Sequence, residues 1–281
     1  MIFRDGFLSG MMGWYNYFRQ KLTIQHPIMP RTILTDDHWS KLIQLMLRTG
    51  RVYDKPEHRN TFEGILYRMR VGCPWRDVPE AFGHWSAIYR RFNLWSQKGI
   101  LMQLFAELRQ LADLEWEFID GSIVKAHQHA AGARSDGKES IGKSRGGNTT
   151  KIHMAVDSGG LPVDFIITGG EVHDSKAAPE LLEQLPEAEH VIADRGYDSE
   201  KIREQVRQKN GIPTIPRKRN SKVGNGDIDW CLYKYRHLVE NAFARLKHYR
   251  SIATRYDKLA RNYASTLALA CCIMWLPMWV G

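Results

Sequence analysis

An aspartate stands in the middle of the most strand-like segment of this chain. Residues 116–124, WEFIDGSIV, set Phe118, Ile119, Ile123 and Val124 so close together that an extended chain would be apolar on both faces. Such a segment reads as a central strand, covered above and below. A carboxylate is costly there unless it is paired or holds a cation. Asp120 therefore constrains the fold, which must bury its neighbours, and the chemistry, which must give its charge a partner.

The pattern before this strand is helical. Thr35 or Asp36 can cap a helix with apolar positions Trp39, Leu42, Ile43, Leu45 and Met46, closed by Gly50. A second helix starts at Asn60 or Thr61 and stops at Gly72, a third covers residues 85–98, and a fourth covers 101–114. After residue 116 the elements alternate. KIHMAVD and PVDFIIT read as strands joined by the turn Ser158-Gly159-Gly160-Leu161. Asp174 or Ser175 caps a helix through Leu185, HVIAD is a short buried strand, SEKIREQVRQKN is a helix, and GIPTIP is a strand. Residues 130–150 read as a mobile loop and RKRNSKVGNGD as a basic one. Residues 229–249 hold no Gly or Pro and predict one long helix, and a last helix covers 262–275. The expected class is α/β, a mixed sheet flanked by helices and preceded by an all-helical module. The expected divisions are residues 1–30 as a poorly ordered extension, with Met29 as the natural start, then 31–114 and 115–281.

Charge is zoned along the chain. Residues 111–200 carry −9 (8 basic, 17 acidic) and residues 201–281 carry +11 (16 basic, 5 acidic), within a net charge of +9. Basic flanks suit a polyanion such as nucleic acid, and an acidic middle suits one only if some of its carboxylates hold cations. The four cysteines form no C-x-x-C pair, which argues against a zinc site and for a reducing cytoplasm. The apolar run 267–280 is short of a membrane span and contains Pro277, so no membrane association is expected.

Two further acids stand out. Asp194 ends HVIA ahead of Arg195-Gly196-Tyr197, at the carboxyl end of a strand, where sites in α/β sheets form. On the expected long helix, Tyr233, Arg236, Glu240 and Lys247 fall in a wedge about 60° wide at helical spacing. An ordinary amphipathic helix with an Arg236–Glu240 pair would show the same pattern.

FIDGSIVKAHQ, then VIADRGYDS, then the spaced set Tyr233, Arg236, Glu240 and Lys247 together resemble the DDE transposases of bacterial insertion sequences, in the branch with the Tyr-Arg-Glu-Lys motif. GGNTTKIHMAVD, HDSKAAPELL, LTDDHWSKL and CPWRDVPEAFGHWSAIYRRF are similar to its other blocks, so the resemblance spans about residues 31–275. It implies a ribonuclease-H-like catalytic domain in which Asp120, Asp194 and Glu240 converge as metal ligands and catalytic residues. Mg²⁺ is the expected ion, with Mn²⁺ as the alternative, Asp120 bridging two ions and the other acids holding one each. The resemblance also implies double-stranded DNA partners, namely the terminal inverted repeats and target DNA, and a homodimer in the active complex. Arg236 and Lys247 would contact phosphates and Tyr233 a phosphate or base. The helical module, with Arg90, Arg91, Trp85 and Trp95, would read the repeats. Arg217, Lys218 and Arg219 would add sequence-independent binding. His153 and His173 are weaker candidates. Two other readings stay open: a related nuclease that cuts without joining, and a catalytically inactive DNA-binding relative.

Overall fold

The computed structural model describes residues 30–132 and 139–279. The expectations for residues 1–28, and for Met29 as the start, fall outside the described residues.

Four helices come first: α1 (Asp36–Arg48), α2 (Glu57–Val71), α3 (Trp85–Gln97) and α4 (Ile100–Leu108). Thr35 caps α1 by accepting the backbone N–H of His38. Gly72 ends α2 with φ +75°, a left-handed conformation that glycine adopts without strain. The second helix begins three residues earlier than its sequence predicts, immediately after Pro56. The fourth ends earlier than expected and passes into a 3-10 turn at Arg109–Leu111. There Arg109 is drawn onto Asp164 and the carbonyl of Val163.

The sheet is built on β1 (Trp116–Ala126). β2 (Gly142–Ser144) and β3 (Gly147–Val156) form a hairpin, so the segment read as a loop over 130–150 contains a strand and the start of another. β3 runs antiparallel to β1 and to β4 (Pro162–Gly169). The helix α5 (Asp174–Gln184) leads to β5 (His190–Ala193), parallel to β1, and α6 (Glu200–Gln208) leads to β6 (Ile212–Thr214), parallel to β5. The strand order is therefore β3-β1-β5-β6, with β2 and β4 both paired to β3 and the Asp120 strand at the centre. Three antiparallel strands continued by two parallel ones, with helices in the crossovers, make a ribonuclease-H-like sheet.

Alternate residues of β1 serve two cores, as strand geometry requires. Phe118 enters a large cluster that also takes in Met46, Phe62, Trp95 and Phe105 of the helical module. Ile119 enters a smaller cluster with Ala155, Leu181, Val191 and Ile202. The large cluster is completed by α9 (Ala260–Trp275), whose Trp275 indole N–H donates to the carbonyl of Pro162. Among the described residues no helix is long and apolar enough to cross a membrane.

The predicted long helix over 229–249 is broken. It consists of α7 (Trp230–Tyr233), a 3-10 turn (Lys234–Arg236) and α8 (His237–Lys247). A 3-10 turn advances about 120° per residue, so the single-helix wedge does not carry through it. The turn is anchored to β1 by side chains, with Tyr235 stacked on Trp116 and Arg236 paired with Asp120.

Candidate active site

The side chain of Asp120 leaves β1 on the same face as Phe118, toward α8. Its Oδ1 accepts the Gly121 backbone N–H at 2.7 Å and its Oδ2 accepts from Arg236 Nη1 at 2.9 Å. The other terminal nitrogen of Arg236 pairs with Glu240. One guanidinium thus ties two of the three predicted acids together, spanning strand and helix. Two residues along β1, on the same face, Ser122 Oγ accepts from Lys247 Nζ at 2.6 Å. Strand and helix are joined by two polar rungs, one through Arg236 and one through Lys247.

Asp194 reaches the site from the neighbouring strand. β1 and β5 pair in parallel as far as Ile119 and Ala193, so residues 120 and 194 occupy the next register position, on strands about 4.8 Å apart. Asp194 then caps a 3-10 turn by accepting the Gly196 N–H at 2.7 Å. Burial pushes the Asp120 carboxyl up from its ordinary range and the charge of Asp194 pushes it further. The Gly121 N–H and the Arg236 guanidinium pull the other way.

Behind Asp120, on the opposite face of the strand, lies an acid that the sequence reading used only as a helix cap. Asp174 begins α5, after the cap His173, whose Nδ1 accepts the Ser175 N–H. Asp174 Oδ2 accepts from Lys151 Nζ at 2.8 Å. Its Oδ1 lies 2.8 Å from the same nitrogen and 3.3 Å from His153 Nδ1, in ion-pair rather than hydrogen-bond geometry. Burial raises the Asp174 carboxyl, but His153 and Lys151 outweigh it and bring it down to about 2. Tyr197 is 1% exposed. Burial, then the charges of Asp174, Asp120 and Asp194, hold its phenol protonated well above the usual range.

The remaining candidates are placed variously. Tyr233 is half-buried, edge-on to Trp230. Arg90 is exposed on α3 and Arg91 half-buried. Trp85 lies under the Arg76 guanidinium, while Trp95 belongs to the core. Lys218 and Arg219 are exposed. Arg217 requires a correction. It is buried, with Nη2 on Asp227 Oδ2 at 2.9 Å and Nη1 on the Gly224 carbonyl at 3.1 Å, so its guanidinium staples its own loop and is not free for phosphate. His173 is a cap and His153 a buried partner of Asp174. Ser122, Lys151, Asp174 and Tyr197 were missed as site residues. Ser122 had a signal, its place two residues beyond Asp120 on one strand face, whereas Asp174 reaches Gly121 only through the fold.

Among the described residues no group of three His, Cys, Asp or Glu side chains is assembled to hold a metal ion unaided. The guanidinium of Arg236 lies between Asp120 and Glu240. The donor chemistry nevertheless suits a hard divalent cation. The candidate ligands are carboxylate oxygens, and Mg²⁺ commonly takes one or two of them with phosphate and water. The carboxyl of Asp120, desolvated beside Asp194, is a charge that a cation would relieve.

Comparison with known proteins decides the family. Residues 118–275 match the profile of the transposase DDE domain. The chain belongs to the DDE transposase family. Residues 34–105 match a second profile, that of candidate transposases of the IS4/5 family. A candidate transposase for insertion sequence element IS6501 from Brucella ovis is 37% identical over 128 residues, covering 46% of this chain and 98% of that protein. An uncharacterized protein, y4sN, from Sinorhizobium fredii is 34% identical over 128 residues, covering 45% of this chain and 96% of its own. A candidate transposase for IS402 from Burkholderia cepacia is 33% identical over 136 residues, 44% of this chain and 62% of that one. A piggyBac transposase synaptic complex with hairpin DNA aligns with a TM-score of 0.40 and 12% identity over 67% of this chain and 50% of that one, too distant to carry an argument. Family membership makes the chain a DNA transposase, an enzyme that cleaves and transfers DNA strands, and DNA is its partner. Enzymes of this family use divalent metal ions.

Proposed function

We propose that this transposase binds the terminal inverted repeats of an insertion sequence, cuts there, and joins the freed ends to target DNA, with Asp120, Asp194 and Glu240 as its catalytic carboxylates. What supports the reading is the Asp120–Arg236–Glu240 link over the middle of the central strand β1, with Asp194 in the adjoining register position. The two reactions are chemically alike. In cleavage, a water oxygen bonds to phosphorus, the bond to the 3′ oxygen breaks, and that oxygen takes a proton to leave as a 3′-OH. In joining, the 3′-OH attacks a target phosphodiester and displaces the target's own 3′ oxygen.

The three acids would hold Mg²⁺, or Mn²⁺ in its place. When bound, such ions activate the attacking oxygen and stabilise the leaving one. Arg236, in the 3-10 turn, and Lys247, at the end of α8, both face β1, and both are charged donors suited to the phosphates flanking the scissile bond. On this reading Arg236 exchanges its carboxylates for phosphate as DNA arrives, which clears the space between Asp120 and Glu240. Tyr233 flanks them. Lys218 and Arg219 track the backbone without reading sequence, and the helical unit 31–114, with Arg90 and Arg91, reads the repeats beside the catalytic unit 115–281. Synapsis of two ends calls for a homodimer, working in the cytoplasm at the nucleoid without membrane contact.

The test is a cleavage and strand-transfer assay on labelled end DNA. Asp120→Asn, Asp194→Asn and Glu240→Gln should each lose at least about 10³-fold in cleavage, the loss of several kcal/mol of charge stabilisation, while end binding survives. Cleavage retained in any one removes that acid from the site. Cleavage without transfer in the parent chain would make it a nuclease alone.

A further inference from the structure

Asp174 stands outside the three proposed catalytic acids, yet its carboxylate touches both of the motifs that carry the first two. A Cβ built on Gly121 would lie 2.3 Å from Asp174 Oδ1 and 2.9 Å from Lys151 Cε. A Cβ on Gly196 would lie 2.8 Å from Asp194 Oδ1 and 3.5 Å from Asp174 Oδ2. One oxygen therefore lies against the backbone next to Asp120, and the other lies near the turn that Asp194 caps. A side chain at Gly121 would collide with Asp174, and one at Gly196 would crowd Asp194 Oδ1 while meeting Asp174 at ordinary contact distance.

The carboxylate is itself gripped. Lys151 and His153 alternate on β3 and both face it. His153 Nε2 lies 3.0 Å from the Thr168 hydroxyl oxygen, a contact that fixes the ring with Nδ1 toward Asp174. The position at the start of α5 favours a negative charge as well. On the far side the Tyr197 hydroxyl, buried and without a hydrogen-bond partner among the described residues, stands close enough to feel Asp174, Asp120 and Asp194 together.

We propose that Asp174, held by Lys151 and His153, is a positioning residue whose carboxylate sets the separation between the Asp120 strand and the Asp194 turn. The inference rests on the assignment of those two acids to the active site. Two carboxylates that share a cation must hold their oxygens at a fixed spacing, and misplacement by about 1 Å can cost about 10²-fold in rate. β5 stops pairing with β1 at Ala193, so no backbone ladder fixes Asp194 against Asp120. Asp174 supplies that bracing from beneath, and also keeps the Lys151 ammonium from competing for the catalytic carboxylates.

The experiment compares Asp174→Asn, Asp174→Ala, Gly121→Ala and the control Asp120→Asn in the full chain. Three quantities are read: melting temperature, end-DNA Kd in EDTA against Ca²⁺, and single-turnover cleavage across Mg²⁺ concentrations. Asp174→Asn should melt below the parent, because it removes the charge that Lys151 pairs with, and, read at a temperature where both chains are folded, should bind end DNA equally in EDTA. It should lose the tightening that Ca²⁺ gives, and cleave about 10- to 100-fold more slowly with a raised half-saturating Mg²⁺. Asp174→Ala should be at least as impaired. Gly121→Ala pushes on the same oxygen from the other side and should reproduce the defect. A fully active Asp174→Asn beside an inactive Asp120→Asn overturns the positioning role. An active Asp120→Asn overturns the site assignment beneath it. If Asp174→Ala fails to fold, Asp174→Asn and Gly121→Ala decide the matter.

Discussion

The two halves of β1 have the same backbone direction and the same long partner, β3, but they live in different surroundings. From Trp116 to Ile119 the strand is flanked on its other edge by β5, and Glu117, Phe118 and Ile119 are all buried. From Asp120 to Ile123 that flank is gone. β5 has turned away after Ala193, β7 (Thr254–Arg255) takes up the edge only at Lys125, and Ile123 is 47% exposed. The first half is a girder between two cores. The second carries Asp120 and Ser122 into an opening at the carboxyl end of β5, where open α/β sheets place their sites. Rigidity is supplied on one side of Ile119 and access on the other, within one strand and without a hinge.

If the halves divide the labour in this way, substitutions two residues apart should separate stability from activity. Phe118→Ala empties a fully buried position of the large cluster and should cost about 3–5 kcal/mol of stability, read by denaturant unfolding. Asp120→Asn should leave unfolding almost unchanged, because it removes a desolvated charge as well as an ion pair. A strongly destabilised Asp120→Asn, or a Phe118→Ala as stable as the parent, would erase the contrast.

Glu117 sharpens the same contrast by pH. It lies in the girder half, 1% exposed, and burial raises its carboxyl to about 8, with Asp164 and Asp157 adding to the rise and Lys209 opposing it. A raised carboxyl means that the folded chain keeps a proton which the unfolded chain releases near pH 4.5. Stability from this group is therefore complete below pH 4.5 and is lost as pH rises toward about 8. Glu117→Gln stays neutral throughout. It should melt with the parent at pH 5 and above it at pH 9, by roughly 3 °C or more. Parallel melting curves across that range would show that Glu117 ionises freely in the fold.

Much of this was legible in the sequence. Strands announce themselves by local pattern, and β1, the β3–β4 turn, β5 and β6 lie where the apolar runs and glycines put them. The family's motifs single out Asp120, Asp194 and Glu240 as candidates, and the fold brings Asp120 and Glu240 onto one guanidinium. What stayed hidden depends on contacts distant in sequence. The break at Lys234–Arg236 follows from Trp116 and Asp120 pulling on Tyr235 and Arg236, more than a hundred residues along. Arg217 reads as one of three exposed cations until Asp227 is seen to hold it. Asp174 reads as a helix cap because helix starts favour such residues whatever else they do.

The smallest expected effect concerns the outer rung. Ser122 and Lys247 meet at 2.6 Å, and both are solvent-accessible, so the bond adds little to stability. Its value would lie in aiming the ammonium along the open half of β1. Lys247→Ala should weaken end binding and reduce the slope of log Kd against log salt by about 1, the signature of one lost phosphate contact. Ser122→Ala leaves the charge in place, so the slope should hold while cleavage falls by about 3- to 10-fold through looser aim. In the double variant the Ser122 effect should vanish, since a missing ammonium cannot be misdirected. Additive losses would instead mean that the serine acts on β1 itself, and the open half would then carry two independent contacts where the geometry suggests one.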